Sequence, residues 1–471
     1  METVSPSISN HTLKQLQLIF DAQRKYFDQG STLSYEFRIA ALKKLLAVVK
    51  KYDLDIKKAL YLDYKKPETE AIIGDIGVVI EELKFTISRL KSWMKPKRVG
   101  TPITIMPASS KIVTEPKGVI AIFAPWNYPV NLILSPLVGA IAAGNCCMIK
   151  PAHETPHTAL LIEKMIKEAF DFAHISVIMG DGKTMGELML HNFVFNHIFF
   201  TGSANTGKWI MAQAAKNLTS VTLELGGKCP AIIDDTARLK VAIQRILWAK
   251  FFNAGQTCLS VDYILVHHKV ADTLIDGMKE AITKTYGIDP SLSKDYCRIV
   301  NAERTKRLVE LLTNEEIIYG GKYNIDECYI QPCLVKVHNM ESKIMKEEIF
   351  GPILPIIIYQ DMNDIIDIVR KNRYPLACYI FSENTTFIDQ IIQKIEFGGG
   401  CINNALAHFG NSHFPFGGVM TSGIGKYHGQ KSFECFSNTK PILHSMSMLD
   451  LHIWYPPYTE TKTKIIEKVI G

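Results

Sequence analysis

The sequence has few of the features that mark metal-binding or nucleic-acid-binding proteins. Its net charge is only +6 over 471 residues, and lysines and glutamates are mixed throughout, which is typical of a solvated surface and predicts no nucleic-acid partner. None of its ten cysteines forms a Cys-x-x-Cys pair or has the Cys/His spacing of a metal site. We therefore expect no metal, and we expect reduced thiols in a cytoplasm.

Long apolar runs are also scarce. The one run of about bilayer length, residues 130–149, contains Asn131, Ser135, Pro136 and Asn145, so we interpret it as a buried helix and a strand. Residues 1–18 lack the basic-then-apolar pattern of a signal peptide. Residues 459–471 are too short and too charged for a membrane anchor, although their pattern allows a weak interfacial helix. We expect no integral membrane segment.

What the sequence does have is an alternation of short apolar runs with helical periodicity. Helical spacing dominates residues 11–93, and strand-like runs follow at 119–124, 146–150, 175–179 and 198–200. Each of these strands leads into a loop and a helix, and the alternation resumes after Cys258. This pattern predicts an α/β fold with a doubly wound parallel sheet. Residues 102–116 lack a helical period and predict a β excursion, such as a hairpin used in assembly.

Two chemical motifs lie 34 positions apart, at Glu224 in Leu-Glu-Leu-Gly-Gly-Lys and at Cys258 in Phe-Asn-Ala-Gly-Gln-Thr-Cys. A cysteine thiolate is a nucleophile, and a nearby carboxylate is a general base. The pair therefore indicates covalent catalysis through a thioester that water hydrolyses. The alternative is that Cys258 is a small buried hydrophobe and Glu224 a surface carboxylate.

Two loops after predicted strands could serve the same chemistry. Asn127 lies in the stiff loop Pro-Trp-Asn-Tyr-Pro, where its amide could bind a developing oxyanion or could cap the next helix. The loop 201–207 reads Gly-x-x-x-x-Gly rather than the usual Gly-x-Gly-x-x-Gly. It places backbone N–H groups and a helix N-terminus where a phosphate could bind, although alone it is typical of an ordinary βα turn.

Taken in order, these segments resemble the aldehyde dehydrogenase family, and the class 3 branch of fatty and aromatic aldehyde dehydrogenases in particular. The resemblance runs from about residue 24 to residue 457. The segments that carry it are 125–129, 200–203, 223–228, 253–258, 347–352, 414–418, 427–433 and 455–457.

The resemblance implies a role for each motif. Cys258 would attack the aldehyde carbonyl, Asn127 and the Cys258 N–H would hold the oxyanion, and Glu224 would activate water. The hydride that leaves the aldehyde carbon would need an acceptor. No side chain accepts a hydride, so the reaction requires a nicotinamide cofactor, NAD or NADP. The residues implied at the cofactor are Lys150, His153, Gly202, Ser203, Gly207, Leu225, Glu348 and Phe350, with Lys150 and Glu348 at the ribose hydroxyls and Phe350 near the nicotinamide. The residues implied at the substrate are Tyr128, His408 and His428.

The resemblance also implies the domain organisation. Residues 1–98 and 117–224 would form a Rossmann-type cofactor domain, and residues 225–420 an α/β catalytic domain. Residues 99–116 and 421–445 would form a small β oligomerisation element, and residues 446–471 a tail. We find no flexible linker, so the domains should share crossing strands. A homodimer is expected from the same resemblance.

Two positions depart from the family pattern. The family often has a glutamate three positions after the lysine of Lys150-Pro151, where this sequence has His153 followed by Glu154. A carboxylate there would repel a 2′-phosphate and a histidine would not, so we predict that NADP is tolerated unless Glu154 takes the role. Met420 stands where the family usually has glycine, and its bulk should affect the following turn.

The expected substrate is a medium- or long-chain aliphatic, or an aromatic, aldehyde. Three alternatives are a CoA-acylating dehydrogenase, a non-catalytic binding or structural relative, and a cysteine hydrolase that pairs Cys258 with a histidine. Glu224 as a water-activating base argues against the first, and the intact trio of Asn127, Glu224 and Cys258 argues against the second. The third predicts ester cleavage without a cofactor.

Overall fold

The structure is a computed structural model that describes residue 6 and residues 8–471. The beginning of segment 1–18, for which the sequence predicts no signal peptide, lies outside the described residues. The helices are α1 Leu13–Asp28, α2 Tyr35–Lys51, α3 Asp53–Tyr64, α4 Glu68–Ala71, α5 Gly77–Trp93, α6 Asn131–Ala143, α7 Pro156–Ala169, α8 Gly182–Asn192, α9 Ala204–Ala215, α10 Leu239–Phe251, α11 Ala271–Tyr286, α12 Ala302–Glu310, α13 Lys343–Lys346, α14 Met362–Lys371, α15 Thr385–Lys394, α16 Gln430–Cys435 and α17 Glu460–Ile470.

Strands alternate with these helices along most of the chain. They are β1 Lys97–Val99, β2 Ala108–Pro116, β3 Val119–Phe123, β4 Cys146–Lys150, β5 Ile175–Val177, β6 His197–Thr201, β7 Ser220–Glu224, β8 Pro230–Ile233, β9 Tyr263–His267, β10 Glu316–Tyr319, β11 Tyr323–Asn324, β12 Tyr329–Ile330, β13 Cys333–Lys336, β14 Ile353–Tyr359, β15 Ala377–Phe381, β16 Gly399–Ile402, β17 Gly423–Ile424 and β18 Ser437–Ser445.

The first large sheet has the strand order β17-β7-β6-β3-β4-β5, and all of its pairs are parallel except β17 with β7. Successive strands run outward from β3 in one direction through β4 and β5, and in the other through β6 and β7. The crevice between β3 and β6 is therefore a topological switch point, the place where open α/β sheets bind ligands. The predicted α/β class is confirmed.

A second large sheet follows, in the order β10-β13-β14-β9-β8-β15-β16, with β10 as its antiparallel edge. Its first strand, β8, begins six residues after β7 ends. The predicted boundary at residues 224 and 225 thus falls between the two sheets, while β17 of the predicted oligomerisation element pairs with the first sheet. The division into domains itself stays a prediction.

The apolar run at residues 130–149 is buried in the protein, as predicted. All thirteen residues of α6 are buried, and the helix ends at Gly144, whose φ of 91° is left-handed. The run then enters β4, which is also fully buried. None of the helices within the described residues combines the length and the apolar content needed to cross a bilayer.

A three-stranded antiparallel sheet stands apart from the two large ones. β1 and β2 form a hairpin, in which the predicted excursion at residues 102–116 supplies only β2, and β18 adds along the other edge of β2 through nine residue pairs. Most residues of β2 and β18 are exposed or half-buried. We call β1, β2 and β18 the arm.

One helix begins earlier than its sequence pattern predicts. The pattern puts the start of α9 at Lys208, whereas the helix begins at Ala204 because the Ser203 hydroxyl accepts a hydrogen bond from the Thr206 N–H at 3.3 Å. Gly207 consequently lies in the first turn of α9 and not in a loop. The helix N-terminus is thereby brought to the end of β6.

The turn at Met420 is left-handed. Met420 has a φ of 53°, and its side chain is 65% exposed. A left-handed residue with a Cβ costs about 1–2 kcal/mol, which explains why the family favours glycine here. The turn still closes in this chain, since the Ser422 hydroxyl and the Val419 N–H bond at 2.9 Å.

We predict that Met420→Gly raises the free energy of unfolding by about 0.5–1 kcal/mol, because relief of the left-handed strain outweighs the extra entropy of glycine in the unfolded chain. Urea unfolding followed by circular dichroism measures this. Met420→Ala is the control, since it shortens the side chain and keeps the Cβ. Equal free energies of unfolding for Met420→Gly and Met420→Ala would show that the left-handed backbone at residue 420 is not strained.

Candidate active site

An open cavity of about 890 Å³ brings the two sequence motifs together. Glu224 lies on one wall, at the end of β7, and Cys258 on another, in the loop after α10. Tyr128 and Tyr427 add two further polar side chains. Most of the remaining lining is apolar, including Ile73, Leu132, Trp248, Phe252, Leu406 and Phe409.

A sharp reversal of the chain delivers Cys258 to this cavity. Residues 252–258, here called the Cys258 loop, follow α10 with left-handed φ angles of 56° at Asn253, 49° at Ala254 and 74° at Gly255. A Cβ on Gly255 would lie 2.3 Å from the carbonyl oxygen of Gly351, so only glycine fits. The left-handed alanine costs about 1–2 kcal/mol, and the loop therefore needs external support.

Gln256 supplies part of that support from inside the loop. Its side-chain amide donates to the carbonyls of Asn253 and Arg298 at 3.0 Å each, and its carbonyl accepts from the Val300 N–H at 3.0 Å. Cys258 itself is half-buried and directed at the cavity.

Asn127 binds the Cys258 loop and does not cap a helix. Residues 124–130, the Asn127 loop, follow β3, and the Asn127 Nδ2 donates to the Gln256 carbonyl at 3.0 Å. The Asn127 carbonyl accepts from the Asn253 side chain, also at 3.0 Å. The N–H groups of Val130 and Asn131, at the start of α6, instead donate to Asp75. The capping alternative for Asn127 is therefore wrong.

Glu224 is buried, which excludes the surface-carboxylate alternative. Neither of its carboxylate oxygens has a hydrogen-bond partner among the described residues. Burial raises the pKa of Glu224 well above its usual range, and the nearby Lys426 opposes this only in part. An unpaired buried carboxyl is costly, so this one is poised to exchange a proton with whatever enters the cavity.

The thiol of Cys258 is held in its neutral form. Burial, followed by the charges of Glu348 and Glu224, raises the pKa of Cys258 to about 12. A thiolate therefore forms at neutral pH only when a neighbouring base accepts the proton, and Glu224 opens onto the same cavity.

Tyr427 is a site residue to which the sequence assigns no role, although it opens the segment 427–433 of the family resemblance. Its side chain is fully buried, and its hydroxyl has no hydrogen-bond partner among the described residues. The backbone of Tyr427 pairs with Phe416 through two hydrogen bonds of 2.8 Å, which fixes the ring in the cavity wall. The sequence around Tyr427 gives no signal of this placement, because Glu224, which lines the same cavity, lies some two hundred residues earlier in the chain.

The predicted cofactor residues lie at the carboxyl ends of β4, β6 and β7. Lys150 ends β4, and its buried ammonium donates to the Pro151 carbonyl at 2.5 Å, with burial lowering its pKa to about 8. The Gly202 N–H donates to the Glu224 carbonyl at 2.9 Å. A Cβ on Gly207 would lie 2.7 Å from Leu225, so α9 packs closely on that side chain.

Glu348 and Phe350 approach the same edge from the second sheet. A Cβ on residue 226 would lie 2.1 Å from the Glu348 carboxylate, so the position of Glu348 requires glycine at residue 226. Burial raises the pKa of Glu348 to about 8. Phe350 has a left-handed φ of 53° and meets the Trp126 ring edge-on, with centroids 5.4 Å apart.

His153 and Glu154 lie together beside Lys150. The His153 Nδ1 is 3.3 Å from a Glu154 oxygen, and the Arg304 Nη2 is 3.6 Å from the other oxygen. The Glu154 side chain is 20% exposed, whereas that of His153 is 46% exposed. Glu154 is thus already engaged by two basic groups, and His153 is the more open of the two.

His408 and His428 are not in the wall of the Cys258 cavity. They line a second cavity of about 520 Å³, separated from the first by Phe409 and Phe416, which contact both. Burial lowers the pKa of each histidine to about 4, so both are neutral. Tyr128 is the one predicted substrate residue that lies in the first cavity. Across the residues that the structure describes, no cluster of three His, Cys, Asp or Glu side chains could hold a metal ion.

Comparison with known proteins agrees with this arrangement. The profile of the aldehyde dehydrogenase family matches residues 2–442. The 4,4'-diaponeurosporen-aldehyde dehydrogenase of Staphylococcus aureus (strain NCTC 8325 / PS 47) is 43% identical over 444 residues, which cover 94% of this chain and 96% of the relative. The aldehyde dehydrogenase family 3 member B1 of Mus musculus is 39% identical over 446 residues, which cover 94% of this chain and 95% of the relative.

A solved structure of Staphylococcus aureus AldH in its substrate-bound state superposes with a TM-score of 0.94 at 42% identity, covering 97% of this chain and 99% of that one. The resemblance found in the sequence is confirmed. The chain belongs to the aldehyde dehydrogenase family, within its class 3 branch, and is an NAD(P)-dependent oxidoreductase.

Proposed function

We propose that this protein oxidises a medium- or long-chain aliphatic, or an aromatic, aldehyde to the carboxylic acid, with Cys258 as nucleophile and Glu224 as general base. The observation that carries the proposal is the shared cavity, in which a thiol and an unpaired buried carboxyl face one apolar space. An apolar wall favours an apolar substrate, because it offers a charged group no partner.

The first step forms a bond between the Cys258 sulfur and the aldehyde carbon. Glu224 accepts the thiol proton, since the raised pKa of Cys258 keeps the thiol protonated at neutral pH. The carbonyl oxygen becomes an oxyanion, for which the Asn127 amide and the Cys258 N–H are the donors. Asn127 suits this role because its Nδ2 carries a second hydrogen besides the one bonded to the Gln256 carbonyl.

The residues at the switch point fit a nicotinamide dinucleotide. A helix N-terminus with Ser203 and Gly202 suits a pyrophosphate, and the Lys150 ammonium and Glu348 carboxylate suit ribose hydroxyls. Leu225 and Phe350 would contact the nicotinamide end. When bound, the nicotinamide accepts the hydride that leaves the former aldehyde carbon. The thioester on Cys258 then remains.

Release of the acid requires water. Glu224 first releases to solvent the proton that it took from the Cys258 thiol. It then takes a proton from that water as the water attacks the thioester, the carbon–sulfur bond breaks, and the proton passes from Glu224 to the Cys258 sulfur, which restores the thiol. The buried carboxyl in the thioester's own cavity favours this hydrolytic route over transfer to a CoA thiol.

Cofactor choice depends on His153 and Glu154. His153 carries no charge that would repel a 2′-phosphate, and Glu154 is engaged by His153 and Arg304. We propose that NADP is used as well as NAD.

A homodimer is proposed through the arm. Ile442 and Leu443 of β18 are apolar and exposed, so contact with a second chain would bury apolar surface. A cytoplasmic location also stays a prediction.

Cys258→Ala and Glu224→Gln should both lose turnover. With decanal and NAD, Cys258→Ala should lose about 10³-fold or more of kcat and show no burst of NADH, because no thioester forms. Glu224→Gln should lose about 10²–10⁴-fold of both the NADH burst rate and the steady-state rate, because Glu224 is the base at thiol activation and at hydrolysis. Stopped-flow absorbance measures both. The wild-type rate should rise with pH as Glu224 ionises, above the usual range of a glutamate, and the Gln variant should lack this rise.

Full turnover by Cys258→Ala would contradict the nucleophile. Faster turnover with CoA than with water would contradict hydrolysis.

For the cofactor, we expect the wild-type kcat/KM with NADP to lie within about 100-fold of that with NAD. His153→Glu should lower the NADP/NAD ratio at least about tenfold, because a new carboxylate repels the 2′-phosphate. His153→Gln, which adds no charge, is the matched control and should leave the ratio within about threefold. If Glu154→Gln instead improves NADP use, Glu154 already fills the ribose role and the proposal fails.

For the dimer, light scattering at micromolar concentration should give twice the chain mass. Leu443→Lys should weaken the dimer at least about tenfold, because it places a charge in the apolar contact. Ile288→Lys, at an apolar residue that is 92% exposed away from the arm, is the control and should not change the mass. A monomeric wild type would overturn the arrangement.

A further inference from the structure

The segment from Tyr64 to Ile76, which we call the clamp, contacts both loops of the active site. It runs from the end of α3 through α4 and a π-helical turn at Ile72–Ile76. π-helical turns are rare and concentrate at functional sites, which directs attention to what this one holds. No motif of the family resemblance lies in the clamp.

Three clamp residues fix the Asn127 loop. The Tyr64 hydroxyl donates to the Asn127 carbonyl at 3.0 Å. Asp75 accepts from the N–H groups of Val130 at 3.1 Å and Asn131 at 3.2 Å. Lys66, fully buried with Asp75 and 2.7 Å from it, places its ammonium 4.0 Å above the ring of Tyr128. The clamp therefore holds the loop that carries the oxyanion donor at Asn127, Tyr128 and Val130.

Glu70 is the clamp residue that reaches the Cys258 loop. Its carboxylate accepts a hydrogen bond from the Asn253 N–H at 2.9 Å. Asn253 is fully buried and is the first of the consecutive left-handed residues that turn the chain towards Cys258. Without Glu70, that N–H has no other acceptor among the described residues, and a buried unpaired N–H next to a strained turn favours movement of the turn.

We propose that Glu70 is a positioning residue for catalysis, which holds the Cys258 loop in register with the Asn127 loop so that the sulfur and the oxyanion donor meet one carbonyl group. The inference rests on the proposed roles of Cys258 and Asn127. Alignment matters because a displacement of about 1 Å between reacting groups can cost about 10²-fold in rate. A side-chain oxygen at the position of Glu70 Oε2 suffices for this role, and the negative charge of the carboxylate is not required.

The test compares Glu70→Ala, Glu70→Asp and Glu70→Gln in the full-length protein. Ala removes the acceptor, Asp shortens it by one methylene, and Gln keeps an oxygen of the same reach. We expect kcat for decanal to fall about 30–100-fold in Ala, less in Asp and within about threefold in Gln, with KM changed less than threefold throughout. Glu68→Ala is the matched control, since Glu68 lies on the same helix and pairs with Lys57 at the surface.

Alkylation of Cys258 by iodoacetamide, measured on the same samples, separates alignment from loss of structure. Attack on iodoacetamide needs the thiol but no oxyanion donor, so we expect its rate and its stoichiometry in Glu70→Ala to stay within about twofold of wild type. A kcat for Glu70→Ala equal to that of Glu68→Ala would overturn the inference. So would a fall in kcat that only matches the loss of alkylatable sites, or an equal fall in Gln and Ala. Turnover by Cys258→Ala would instead overturn the proposed nucleophile. The comparison of the Glu70 variants would then report only on whether Glu70 holds the turn at Asn253.

Discussion

The hydrogen bond from the Asn127 side chain to the Gln256 carbonyl is the contact on which the active site depends. The two loops that it joins come from different sheets, so neither sheet alone fixes the position of Cys258 relative to Asn127. A return bond from Asn253 to the Asn127 carbonyl makes the connection reciprocal. Because the Cys258 loop contains a left-handed alanine, it would relax if either bond were lost. Precise placement of the sulfur is thus obtained by opposing local strain to long-range hydrogen bonds.

Unlike Asn127, the buried polar side chain of Glu224 in the cavity is not held by hydrogen bonds. Glu224 is surrounded by protein and has no hydrogen-bond partner among the described residues, an arrangement that stabilises neither its charge nor the fold. Its neighbour Lys426 is committed to backbone carbonyls of Gly398 and Gly417. The Glu224 carboxyl is therefore free to accept and donate a proton, whereas the neighbouring Lys426 is fixed by its hydrogen bonds. Stability is given up at one side chain so that this side chain can react.

Much of this could be predicted from the sequence, and the limits have a physical cause. The α/β class follows from apolar periodicity, and Glu224, Cys258 and Asn127 stand in motifs whose chemistry is local. Glu70 and Lys66 do not stand in such motifs, because their roles are defined by partners that lie more than 180 and about 60 residues away in the chain, Asn253 and Tyr128. The start of α9 was missed because Ser203 caps it ahead of the apolar pattern. His408 and His428 were placed at the substrate by resemblance, yet Phe409 and Phe416 separate them from the Cys258 cavity.

The strand β17 has a consequence for how the protein is made. It is the outermost strand of the first sheet and pairs with β7 beside Glu224, yet it comes some two hundred residues later in the chain. Gly417 and Lys426, which flank the Glu224 carboxyl, arrive with it. During synthesis on the ribosome, the nucleophile and the cofactor edge are therefore complete before the base is enclosed. A nascent chain that lacks β17 holds the Cys258 thiol without the dry surroundings that turnover requires, and the pairing of β17 with β7 completes them.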